Sequence, residues 1–207
     1  MIPTAETVDA LTGPYFHVDK NGQPSRRLDL HPMTPLCEVQ EKTFALWHIG
    51  VDCPNCMRLV RLLPTPLNSQ VALCLAWMCK RHVERGGGWI HMPTEAPRWA
   101  ISHMKYGLLH WWDLAVSPDR GVSGMWAVRP RGLEFWTGKL AVLPKYAHLY
   151  NDTCFGYSPE GVSIADAMGD RFDYHEMLRL SAAEFDMCAG EILDKIKREK
   201  AAKKRAA

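Results

Sequence analysis

The chain has 207 residues, 47% of them hydrophobic and 23% charged, enough to bury a full core in one or two domains. Its longest uncharged apolar run, Val71 to Cys79, falls well short of the roughly 20 residues that a membrane-spanning helix needs, so no membrane partner is expected. The net charge of +2 conceals an uneven distribution, with residues 1–52 at −3 (4 basic, 7 acidic), 53–150 at +7 (12 and 5), 151–194 at −8 (2 and 10) and 195–207 at +6 (7 and 1). A basic central block suits a polyanion and an acidic one suits a basic partner. The opening MIPTAETVDA lacks the basic and apolar regions of a secretory leader, and seven cysteines, an odd number, fit thiols or metal ligands better than a disulfide framework. A reducing bacterial cytoplasm is the expected compartment.

In chain order, residues 1–42 mix Pro3, Gly13, Pro14, Gly22 and Pro24 with polar residues and no sustained period, which predicts an irregular extension. From Thr43 to Val51 the run TFALWHIGV is rich in β-branched and aromatic residues. MRLVRLL follows the CPNC turn, so 43–66 reads as a hairpin knuckle turning at Cys53–Cys56. Asn68 is a good N-cap for a core helix running to about Arg85 and stopped by Gly86, Gly87 and Gly88. Next come a short strand, WIHM, a Pro-bounded turn of helix, PTEAPRW, and a helical segment from about Ala100 to Trp112. There Ile101, Met104, Leu108 and Trp111 form an apolar stripe. LAV and GMWAVRP read as two strands joined by SPDRGVSG, with a short helix opening at Gly132. This order of helix, strand, two helices, strand, loop and strand is that of a winged helix-turn-helix, placed over 67–143.

Residues 144–180 read as an acidic hairpin around Asn151 and Asp152, followed by two short helices that start at Ser163 and Tyr174. Residues 181–207 read as a helix, with Phe185, Cys188, Ile192 and Ile196 at helical spacing, that dissolves into the basic tail KREKAAKKRAA. The fold class expected is α+β, a winged helix-turn-helix core with an N-terminal β-hairpin knuckle and C-terminal helices.

Three groups of residues carry chemistry. Cys53 and Cys56 flank a Pro-containing turn that aims two thiolates at one point, half of a structural zinc site. Cys79 and His82, one helical turn apart, are candidates for the other half, with His31, Cys37 and His48 as alternatives; a redox pair or a metal-free turn are the competing uses of the same CxxC. Arg98, Ser102, Lys105 and Tyr106 on the presumed recognition helix, with Arg120 in the wing and Arg129 and Arg131 at its base, have the residue types of a duplex DNA reader. A winged helix also serves as a protein-interaction module. The third group, Asp166, Asp170 and Asp173 in the acidic block, suits a basic host protein, perceived as an adaptor or inhibitor role towards a host defence complex.

Trp89, Trp99, Trp111, Trp112, Trp126 and Trp136 fit a core, or the subunit interface of a homodimer, better than a base-stacking platform. No phosphate loop, G-x-S-x-G or H-E-x-x-H is present, and Asp173, His175 and Glu176 are too close in sequence to converge on a short helix. A non-catalytic nucleic-acid-binding protein is therefore the expected function.

The stretch LLHWWDLAVSPDRGVSGMWAVRPRGLEFW is similar to the third helix and wing of winged-helix proteins, although Pro130 and Arg131 precede Gly132 where the usual turn carries Thr. CPNC followed by LNSQVA, WIHMP, GMWAVRPRG, VLPKYAHLYN and SIADAMGDRFDYHEML resembles a group of uncharacterised phage and bacterial proteins. In these a Cys-Pro-x-Cys knuckle precedes a winged-helix-like core, and the similarity covers about residues 45–180. The resemblance implies a fold and a mobile-element context and carries no assigned activity.

Overall fold

The structure, a computed structural model, describes residues 16–18, 24–28, 30, 33–46, 50–53, 59–102, 104–119, 123–150 and 152–206. It is mixed α+β, as expected, and divides into two units. The first comprises Met1–Pro64 and His148–Gly156, the second Thr65–Ala147 and Tyr157–Ala207. Among the described residues no helix is long and apolar enough to cross a membrane.

In the first unit β1 (Phe16–Val18), β2 (Pro24–Leu28), β3 (Val51–Asp52) and β4 (Leu59–Val60) form one sheet in that order. The expected irregular extension therefore holds two antiparallel strands, and it also holds most of helix α1 (Leu36–Ala45). Of the expected hairpin knuckle, β3 and β4 pair antiparallel, with Val51 opposite Val60 and Asp52 opposite Leu59, and residues 54–58 lie outside the described residues. The knuckle's expected first strand is corrected at Thr43–Ala45, which close α1. Glu38, Gln40, Glu41 and Lys42 favour helix, Lys42 pairs with Glu38 at 2.6 Å, and the Thr43 hydroxyl donates to the Val39 carbonyl at 2.6 Å. Leu46, Val51 and Val60 form the buried cluster of this unit, with Leu30, Cys53 and Tyr150 packed against it.

The second unit is organised around α2 (Ser69–Glu84). Asn68 caps it, its side chain accepting from the Val71 amide at 3.3 Å, and every residue from Val71 to Lys80 is buried. A helix apolar on all sides must be surrounded, and α2 packs against most elements of its unit. The chain reaches it through β5 (Leu63–Pro66) and continues into β6 (Ile90–His91), α3 (Met92–Glu95), α4 (Arg98–Ile101), a 3-10 helix (Lys105–Trp112), β7 (Ala115–Val116), β8 (Met125–Val128) and α5 (Pro130–Trp136). The strands form an antiparallel sheet in the order β6-β8-β7, with Ile90 opposite Trp126 and Ala115 opposite Val128.

The single helix expected over Ala100–Trp112 is corrected. α4 ends at Ile101 with Ser102 as its C-cap, a left-handed Met104, φ 47°, precedes the 3-10 helix, and a second left-handed residue, Asp113 at φ 60°, ends it. Three residues per turn put Tyr106, Leu109 and Trp112 on the buried side, whereas Met104 of the expected apolar stripe is 64% exposed.

Downstream lie β9 (Leu143–Pro144), β10 (Tyr146–Tyr150), β11 (Thr153–Tyr157), β12 (Gly161–Val162), α6 (Ile164–Met168), α7 (Tyr174–Arg179) and α8 (Ala182–Ala206). The hairpin turns at Asp152 as expected, in a left-handed conformation. The tail expected to dissolve is instead the last part of α8, because Ala, Lys, Arg and Glu are strong helix formers and cations favour a helix C-terminus.

Candidate nucleic-acid interface

Arg98 opens α4 and Ser102 caps its end one turn later, both exposed, with the Ser102 hydroxyl donating to the Trp99 carbonyl at 3.2 Å. Trp99 between them fixes α4 from behind, its indole N–H donating to Asp186 Oδ1 at 2.8 Å and its ring lying 6.4 Å from that of Phe185. Lys105 begins the 3-10 helix and is half-buried, while Arg131 sits exposed in the first turn of α5. Arg98, Lys105 and Arg131 make no ion pair among the described residues, so their charge is available to a phosphate.

Two expected contacts are corrected. Tyr106 is only 7% exposed, its ring edge-to-face with Trp126 at 5.7 Å, and burial raises its phenol pKa. It is a core residue because the 3-10 period turns it inward. Arg129 pairs with Asp113 at 3.0 Å across the end of the sheet, so a phosphate would have to compete with a carboxylate already in place. Arg120 lies outside the described residues. Next to it in sequence, Asp119 accepts from the Ser123 amide at 2.8 Å.

Cys53 follows β3 in the first unit, and Cys56, with His31 and His48, lies outside the described residues. Cys79 belongs to the second unit and is fully buried, its thiol directed at the Gly132 carbonyl at 3.7 Å. Burial pushes that thiol strongly up. Cys74 is likewise pushed up to about 12 by burial. His82 is half-buried, with an Nδ1 that has no hydrogen-bond partner among the described residues, and Cys37 is exposed on α1. Cys79 is thus corrected to a core thiol, and among the described residues no group of three or more His, Cys, Asp or Glu is placed to hold a metal ion.

The acidic residues have local duties that spacing did not reveal. Asp173 is the N-cap of α7, accepting from the His175 and Glu176 amides at 2.9 and 3.1 Å. Asp166 takes the Ser163 hydroxyl proton bond at 2.6 Å at the start of α6. Asp170 is exposed on the rim of a cavity of about 360 Å³ that Asn68, Lys145, Arg171 and Ile196 also line. Of the carboxylates in 151–194, Glu160 reaches a cation of the basic block, Lys145 at 3.4 Å. The acidic block does not cover Arg98, Lys105 or Arg131 with ion pairs among the described residues.

Sequence reading missed Lys80, which lies in the longest buried run and is 7% exposed. Its ammonium donates to the Leu178 and Leu180 carbonyls at 3.1 and 2.5 Å, and lies 5.4 Å from the Trp136 ring centre and 5.6 Å from that of Phe185. One turn on, Glu84 accepts the Ala182 amide at 2.7 Å. The cation holds the C-terminus of α7 and the carboxylate the N-terminus of α8, each matched to the local helix dipole. A lone Lys in an apolar helix was the only signal available.

No protein-family model matches the chain, and neither a curated protein nor a solved structure matches it.

Proposed function

We propose that the second unit is a winged-helix-like domain that binds duplex nucleic acid without catalysis. The observation that carries this reading is the antiparallel sheet order β6-β8-β7, entered from α2 and interrupted by α3, α4 and the 3-10 helix between β6 and β7. A helix, a strand, a helical pair and a two-stranded wing closing on the first strand is the winged-helix plan, whose helical pair presents side chains to a major groove. Arg98, Lys105 and Arg131 then supply phosphate contacts, with Ser102 beside them. Binding of the unmodified chain to a mixed-sequence duplex, followed by fluorescence anisotropy, should weaken linearly in log K against log salt. An Arg98→Gln, Lys105→Gln, Arg131→Gln variant should flatten that slope by about one unit per contact removed. An unchanged slope and affinity in this variant would remove the face from the reading.

The competing adaptor role through Asp166, Asp170 and Asp173 is less favoured, because Asp173 already caps α7 and Asp166 already accepts the hydroxyl of Ser163, the α6 cap. The same proposal includes a structural zinc held through Cys53 and Cys56, supported by the antiparallel pairing of β3 and β4 on either side of that CxxC. Elemental analysis of protein purified without added metal should then find about one zinc per chain, lost with thermal stability in a Cys53→Ser, Cys56→Ser variant. Protein free of zinc and stable in chelator would count against it.

A further inference from the structure

The end of α8 departs from the rest of the chain in having charge on every side and nothing apolar to bury. Ile196 is half-buried at the 360 Å³ cavity, and Glu199 pairs with Arg171 at 2.7 Å. Beyond Glu199 every residue from Lys200 to Arg205 is exposed, and four of these six are cationic. At 1.5 Å per residue, the seven residues to Ala206 extend about 10 Å past the last anchor. Arg198, Lys200, Lys204 and Arg205 make no ion pair among the described residues, Lys195 and Lys203 act on Glu199 only at longer range, and Lys197 reaches Asp194 at 3.5 Å. Lys200 and Lys204 stand at i and i+4, where like charges repel. A ligand that neutralises them removes that repulsion.

We infer that this helix end is a second phosphate-binding surface, a basic rod that grips the backbone of a nucleic-acid duplex. The inference rests on the proposed function for its partner class but on a different set of residues. The chemistry selects nucleic acid over the other polyanions. Membrane-surface helices need large apolar residues opposite the basic face, and past Ile196 the only apolar residues are Ala201, Ala202, Ala206 and Ala207. Protein interfaces take their affinity from buried aromatic and apolar anchors, which this stretch also lacks. A phosphate backbone asks for neither, since cations that displace its counterions supply the affinity.

The test uses the full chain with Lys200→Gln, Lys203→Gln, Lys204→Gln and Arg205→Gln combined. Glutamine keeps helix propensity, and circular dichroism checks that helicity is retained. Duplex affinity at about 50 mM salt should fall at least tenfold, with the salt slope lower by about 3.6 units if all four residues meet phosphates. Unchanged affinity and slope overturn the inference. Loss in the Arg98, Lys105, Arg131 variant alone leaves the proposed function standing and this surface rejected; loss in the helix variant alone does the reverse. Poly-L-glutamate is the probe for an acidic protein partner. If the unmodified chain binds it more tightly than duplex at equal salt, and the four substitutions abolish only that binding, the surface is for protein and the inference fails.

Discussion

Gly132→Ala should destabilise the protein by about 2–3 kcal/mol, although a Gly to Ala change inside a helix ordinarily stabilises by up to about 1 kcal/mol. The reversal of sign comes from packing. A Cβ on Gly132 would stand 2.3 Å from the Leu114 carbonyl oxygen and 3.1 Å from Val128 Cγ1. That oxygen is not free to move, because it accepts the Arg129 amide at 3.0 Å where the chain passes from β8 into α5. On its other side the Gly132 carbonyl faces the Cys79 thiol of α2. Relief of the clash therefore has to shift α5 away from the sheet, and with it Phe135 and Trp136, both core residues. Urea denaturation reads the change directly. Gly107→Ala is the control, since nothing lies within 4 Å of the Cβ it would add. Equal stability of Gly132→Ala and the unmodified chain would mean that α5 does not approach Leu114 this closely.

What could be read from the sequence is what short-range chemistry decides. Asn68 and the three glycines bound α2 correctly because a cap and a stop act within a few residues of the helix end. The helix starts at Ser163 and Tyr174 were equally legible. The 100–112 segment was misread because apolar residues at Ile101, Met104, Leu108 and Trp111 satisfy a 3.6-residue period, while Tyr106, Leu109 and Trp112 satisfy a period of three. Only packing against α2, and the turn at Met104, decides between them. That error carried Tyr106 into the candidate interface. The charged tail was misread for a different reason: a helix polar on all sides has no periodicity to detect, so propensity alone had to indicate it. Partners far apart along the chain were out of reach, as with Trp99 and Asp186, 87 positions apart. Lys80 and the carbonyls it holds, 98 and 100 positions away, are the largest case, and a charged residue in a buried helix gives no indication of which backbone groups it serves.

Lys80→Met should lower stability by about 2 kcal/mol at neutral pH, the result of two opposed terms. Removing the ammonium leaves the part-buried Leu178 and Leu180 carbonyls without their donor, at up to about 1–3 kcal/mol for a group that water does not reach. Against this, methionine relieves the desolvation of a buried charge, which in other proteins has made such replacements neutral or favourable. The first term prevails here because two carbonyls at a helix C-terminus and two aromatic faces already solvate the cation, and Glu84 and Glu184 favour its charged form. Desolvation nevertheless holds the Lys80 pKa below its ordinary 10.5 in the folded chain. Between that lowered value and 10.5 the unfolded chain binds more protons at this site than the folded one, so this group's contribution to stability increases as pH rises through the window. The gap between unmodified protein and Lys80→Met, measured by chemical denaturation at several pH values up to about 10.5, should therefore widen with alkalinity. Taking the difference cancels the titration of groups common to both proteins. A gap that narrows with rising pH would show the folded protein holding the Lys80 proton more tightly than the unfolded chain does. A Lys80→Met protein as stable as the original at neutral pH would show that the α7 to α8 corner closes without the ammonium.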